Sequence, residues 1–163
     1  MKKTIGFIVD VLESDQELSK EDATLLAKAR EITSLAYAPY STFYVGAAAL
    51  LSNGEIVTGT NQENASFPVG ICAEQVTLSA ISSLYPNGQA ISTMAISYQG
   101  KGIKSDHPIS PCGVCRQALV EHEVRTKQTI RIILSGLEGE VYIIPDAHSL
   151  LPLAFSPDEL PSK

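Results

Sequence analysis

"SPCGVCRQ", residues 110–117, holds two of the three cysteines in the chain, and its reading decides both fold and chemistry. Pro111 is a residue favoured at helix starts, so the stretch opens a helix predicted from about 112 to 123. On that helix Cys112 and Cys115 stand three apart on one face, where both sulfurs can reach one ion. The third cysteine lies in "ICAEQ", residues 71–75, at the start of a second predicted helix that runs to about 84. Unpaired N–H groups and the positive dipole end favour a thiolate over a thiol at both places.

Around these helices the periodicity alternates between helix and strand. Ser19 with Asp22 resembles a capping box, and Leu25, Leu26, Ala29, Ile32 and Leu35 recur at helical spacing, predicting a first helix from about 19 to 36. Pro39 breaks it. "FYVGAAALL" and "EIVTGTN", joined across Ser52-Asn53-Gly54, read as a hairpin. "ISTMAISY", "TIRIILS" and "VYIIP" add three more strands, and "AHSLLPLAF" closes as a short turn or helix. Five strands between helices, with antiparallel hairpins at both ends, indicate an α/β three-layer sandwich on a mixed five-stranded sheet. Residues 1–17 read as an extension, carrying at most an added strand, ahead of one domain over 18–163.

Composition narrows the partners. Twelve basic against 18 acidic side chains leave a net charge of −6, without the basic stripe that nucleic-acid binders carry. No nucleic acid and no membrane are expected: no apolar run approaches the roughly 20 residues of a spanning helix. "MKKTIGFIV" imitates a secretory start, but Asp10 interrupts it and no small-residue cleavage site follows. An odd number of cysteines without an export signal fits a reducing cytoplasm.

Three soft sulfur ligands point to Zn2+. A structural site is closed by four protein ligands, whereas a catalytic one keeps a place for water. His107, five residues before Cys112, is the candidate fourth ligand of the closed reading. A thioredoxin-like use of Cys112 and Cys115 would leave Cys72 and Glu74 without work. With water in the open place, zinc lowers that water's pKa from about 16 to about 7. Glu74, two residues after Cys72, could stand over it without coordinating the metal. Alone, Glu74 would be an ordinary first-turn acid facing the dipole.

"AYAPYSTFYVGAA", "NQENASFP", "CAE" and "PCGVCRQ", in that order, closely resemble the cytidine deaminase family over about residues 19 to 155. The resemblance implies Cys72, Cys112 and Cys115 as zinc ligands and Glu74 as the proton shuttle between water, pyrimidine N3 and the departing amino group. It implies cytidine, and deoxycytidine too, as small-molecule substrates in pyrimidine salvage. Phe43 would pack against the pyrimidine, and the backbone at Ala73 and Ser110 would hold the base edge. Asn61 and Glu63 would grip the ribose 3′-hydroxyl, and Phe155 would reach a neighbouring subunit's site in a homotetramer. Two other readings remain: a deaminase of blasticidin-type aminopyrimidine nucleosides, whose members lack the full "NQENA" pattern, and a zinc-stabilised binding module without turnover.

One position departs from the family pattern. Three-cysteine members typically carry arginine after the glutamate; here it is Gln75, which can hydrogen-bond to sulfur but brings no charge. Arg116 matches a second family arginine that offsets the thiolate charge. Uncompensated negative charge opposes ionisation of a metal-held water, so Gln75→Arg should move the acidic limb of the pH–rate profile downward. An unchanged or upward-moving limb would discard that expectation.

Overall fold

The structure, a computed structural model, describes residues 1–161. Among these residues six strands form one sheet in the order β1-β6-β5-β4-β2-β3. They are β1 (Asp10–Leu12), β2 (Phe43–Leu51), β3 (Ile56–Thr60), β4 (Ile91–Gly100), β5 (Arg131–Ser135) and β6 (Val141–Ile144). Helices α1 (Lys20–Ile32), α2 (Ala73–Leu84) and α3 (Gly113–Thr126) cover its two faces. The expectation of five strands is corrected to six: Asp10–Leu12, within the extension, pairs antiparallel with β6. Three residues are too few to carry a periodicity.

Three layers follow from which side chains are apolar. Leu25, Leu26 and Ala29 of α1 pack on Ala48, Ala95, Ile133 and Val141. The opposite face receives α2 and α3, with Leu78, Ile81 and Leu119 packed among Ala47, Met94, Ile132 and Leu134. Central β5 is covered on both sides, and Ile132, Ile133 and Leu134 are all inaccessible; a continuous apolar run is what such a strand requires.

The first helix ends earlier than its apolar spacing predicts. Beyond Ile32 the chain tightens into a 3-10 turn over Thr33–Leu35, where the Thr33 hydroxyl donates to the Arg30 carbonyl at 2.6 Å. Leu35 is left exposed. A hydroxyl competing for a backbone acceptor is a local alternative to helical bonding that periodicity does not register. At the other end Ser19 caps as expected, its Oγ accepting from the Asp22 N–H at 3.1 Å.

Asp22 also binds across the molecule. Both its oxygens accept from the Arg131 guanidinium, at 2.6 and 2.8 Å, which ties α1 to β5. The Arg131 hydrogen bond holds the Asp22 carboxyl below its ordinary value, against the opposing effect of burial. A depressed folded-state value means the stabilisation is complete above the unfolded pKa of about 3.9 and is lost as pH falls through the folded value. Asp22→Asn should therefore cost about 1–3 kcal/mol at pH 7. In denaturant titrations, the gap between variant and parent should narrow once the pH drops below about 4.

Strand directions place the functional end. β3 runs antiparallel to β2, and β2 antiparallel to β4, so β3 and β4 point the same way. The chain leaves both strands at one end of the sheet and there enters α2 and α3, respectively. The parallel β4–β5 pair requires such a crossover, and α3 supplies it. Phe43, opening β2, sits opposite Gly100 at the close of β4, hence at that same end. Crevices outside the carboxyl ends of strands are where open α/β sheets bind ligands.

Candidate metal centre

Cys72 is the N-cap of α2 and Cys112 the N-cap of α3, both with extended backbone. Their carbonyls begin the two helices, accepting from Val76 and Arg116 N–H at 3.1 and 3.0 Å. Neither side chain folds back as a cap, so both sulfurs remain free to face a third. Cys115, one turn into α3, completes the group and is fully buried. Gly59 permits this closeness: a Cβ there would stand 2.6 Å from Thr77 Oγ1 and 2.9 Å from the Ala73 carbonyl. Any side chain at that position would push the start of α2 off the sheet.

The three sulfurs fit a zinc ion. Cys112 Sγ lies 3.7 Å from Cys72 Sγ and 3.4 Å from Cys115 Sγ, and all three lie within 4.8 Å of one another. Tetrahedral zinc with bonds of about 2.3 Å separates its sulfurs by about 3.8 Å. Hydrogen bonding from Cys115 draws the Cys72 thiol down, and the same bond with burial drives Cys115 up. Among the described residues no histidine or carboxylate joins the group. His107, the candidate for a fourth ligand, instead has its ring nitrogens 3.3 Å from the Tyr98 hydroxyl and 3.0 Å from Asp106 Oδ1.

Glu74 occupies the first turn of α2 with 4% of its surface exposed. Burial raises its carboxyl above the ordinary value. Ala73 beside it is inaccessible, whereas Ser110 is exposed ahead of Pro111. Gln75 is half-buried on the groove between α2 and α3.

Asn61 and Glu63 follow β3 at the same end of the sheet, where both also hydrogen-bond to backbone. Asn61 uses both ends of its amide on the opening of β2: Oδ1 accepts from Val45 N–H at 2.7 Å and Nδ2 donates to the Phe43 carbonyl at 2.9 Å. Glu63 accepts from the N–H groups of Tyr40 and Ser41 at 2.8 and 3.3 Å. Chiefly through Ser41, its carboxyl is held below the usual range. Two residues that resemblance assigns to ribose thus brace the segment that presents Phe43. A cavity of about 410 Å³ opens beside them, lined by Tyr40, Glu63, Phe67 and Gly70; Gly70 lies two residues before Cys72.

Arg116 immediately follows Cys115 in α3. Its hydrogen bonds run to the Pro111 and Leu150 carbonyls, at 2.8 and 2.9 Å, rather than to sulfur. It clamps the cysteine turn to the closing segment. Phe155 is largely exposed, and its carbonyl accepts from Gln117 at 2.9 Å.

Two supporting residues escaped the sequence reading. Tyr98, 1% exposed, stacks on Phe43 with ring centroids 5.2 Å apart. Buried Glu123 accepts from Ile130 N–H, Ala147 N–H and the His148 ring at 2.6, 2.8 and 2.6 Å, pinning the closing segment to α3. An acid on the core face of a predicted helix was the available signal for the second. The first looked like any strand aromatic.

Comparison with known proteins agrees with this geometry. The cytidine and deoxycytidylate deaminase zinc-binding region matches residues 19–130. The cytidine deaminase of Sporosarcina psychrophila is 34% identical over 137 residues, covering 83% of this chain and 92% of the relative. That of Mycobacterium tuberculosis is 35% identical over 140 residues, 84% of this chain and 91% of its own. Cytidine deaminase from Burkholderia pseudomallei, a crystal structure, superposes with a TM-score of 0.72 at 33% identity, over 85% of this chain and 100% of that one.

Proposed function

The chain belongs to the cytidine and deoxycytidylate deaminase family, and from that premise we propose how its own residues carry the reaction. It is a zinc-dependent hydrolytic deaminase that converts cytidine to uridine and ammonia. Cys72, Cys112 and Cys115 hold the zinc, which when bound supplies a water activated near neutral pH.

Glu74 moves the protons. Its carboxylate takes one from the nucleophile and delivers it to pyrimidine N3, making C4 electrophilic. It then takes the remaining proton from the hydroxyl added at C4, which becomes the carbonyl of uridine, and passes it to the amino nitrogen, which leaves as ammonia. A buried carboxyl beside the sulfurs, outside the ligand set, is the observation that carries this reading. Water has little access to Glu74, so the proton stays with the substrate rather than escaping to solvent.

Phe43, held from behind by Tyr98 and along its backbone by Asn61, offers a flat apolar wall for the base. The Ala73 and Ser110 backbone would bind the base edge. Glu63, and the remaining hydrogen-bonding capacity of Asn61, face the sugar. Deoxycytidine would serve as a second substrate. A homotetramer, in which Phe155 reaches a neighbouring site, goes with this reading. The groove between α2 and α3, about 640 Å³ and lined by Leu78, Val114 and Ala118, supports a covered face there; Val114 is 67% exposed. A reducing cytoplasm suits three free thiols. No helix among the described residues is long and apolar enough to cross a membrane.

Zinc-loaded protein incubated with cytidine, deoxycytidine, CMP and blasticidin S tests the substrate assignment. Turnover of the two free nucleosides and little of CMP is expected. Preference for blasticidin S would move the assignment to the antibiotic class.

A further inference from the structure

Residues 1–18 lie outside the stretch matched by the family's zinc-binding region, and the deamination chemistry makes no use of them. Their structure leaves a conspicuous loose end. β1 gives only three residues to β6, with Asp10 opposite Ile143. Continuing that register puts Ile8 opposite Pro145, which has no N–H to extend the ladder. Residues 1–8 therefore overhang the sheet and are all exposed.

The overhang is apolar where it should be polar. Ile5 and Phe7 are each 48% exposed, Ile8 80% and Val11 51%. Beside it, the outer edge of β1 has no strand partner among the described residues. A bare edge continuous with an exposed apolar strand is a template for pairing with another chain. The two unsatisfied parts also match in length: residues 3–7 overhang, and residues 9–13 carry the open edge.

We propose that residues 3–13 of two copies pair as antiparallel strands about a two-fold axis at Ile8, joining two six-stranded sheets into one. Such an axis, perpendicular to the sheet, keeps odd-numbered residues of both copies on the same face. This face already carries Val9 against the core. The register then sets Phe7 against the partner's Val9, Ile5 against the partner's Val11 and Lys3 against the partner's Glu13. Shifting by two residues in one direction puts Lys3 opposite the partner's Val11; shifting in the other puts Ile5 opposite the partner's Glu13. Both leave a charge facing an apolar side chain. The charge distribution also favours a second copy over an unrelated strand, since Lys2 and Lys3 stand at one end of the segment and Asp10, Glu13 and Asp15 at the other.

Cysteine probes on the full, zinc-loaded chain read the register directly. A residue on the axis meets itself, with Cα atoms about 4.5–5.5 Å apart, within disulfide reach. Residue 4 instead faces the partner's Leu12, about 27 Å from its own counterpart. Under mild oxidation Ile8→Cys should give covalent dimers, and Thr4→Cys should not. Lys3→Glu, placing like charges opposite one another, should slow crosslinking at position 8 about fivefold or more, and adding Glu13→Lys should restore it. All four positions are exposed, and unchanged cytidine turnover reports intact folding. Equal crosslinking at positions 4 and 8, none at position 8, or a rate indifferent to the charge reversals overturns the proposal.

Discussion

Glu74→Gln is expected to lower kcat for cytidine by about 10³–10⁴-fold while zinc content stays at one ion per chain. The two side chains have nearly the same size, so the 4%-exposed position is filled without a cavity. An amide can still donate and accept hydrogen bonds, but it cannot take a proton from one atom and return it to another. The loss should therefore fall on kcat, with KM changed little, because binding contacts survive and proton transfer does not. Folding stability should hold or rise slightly, since replacing a buried carboxyl removes a desolvation cost. Metal analysis, steady-state kinetics and thermal melting on one preparation check all three. Zinc lost along with activity would make Glu74 a prop of the metal site. A kcat near that of the parent would take it out of proton transfer.

That prediction rests on features local enough to read from sequence. The cluster of Cys72, Cys112 and Cys115 was legible because helix starts, i, i+3 spacing and ligand chemistry are all short-range. The hairpin at Gly54 and the long strands were legible for the same reason. Partners chosen in three dimensions were not. Asn61 and Glu63 stand two apart and suggest a shared ligand, but folding puts their carbonyl and carboxylate oxygens on backbone N–H groups of residues 40–45. Arg116 follows a cysteine of the cluster in sequence, and nothing local foretells that its guanidinium also donates to the carbonyl of Leu150, supplied by a segment 34 residues away. The sixth strand was hidden because three residues pair only when β6 arrives beside them. Pattern locates groups that act on their neighbours in the chain; it is silent about those that act on neighbours in space.

The second large effect concerns the metal. Cys115→Ala should reduce zinc to well below a tenth of an ion per chain and bring turnover under the detection limit. Two ligands on different helices would remain, and the lost sulfur is the one buried between them and the core. The consequence for folding is separate and can be measured. Zinc held by Cys72, Cys112 and Cys115 would join the starts of α2 and α3, so at free zinc about 1,000-fold above its dissociation constant it should add about 4 kcal/mol to the folded state. For a chain of this size that is about 10 °C in Tm. The parent stripped by chelator should show this drop, and Cys112→Ala should match it, because Cys112 is exposed and its loss leaves no internal hole. Cys115→Ala should fall further by about 1 kcal/mol from the cavity at a fully buried position. Its melting temperature should also ignore both chelator and added zinc. If Cys115→Ala keeps stoichiometric zinc, the ion is held by some other donor. The vacancy for water, and with it the assignment of Glu74, would then have to be abandoned.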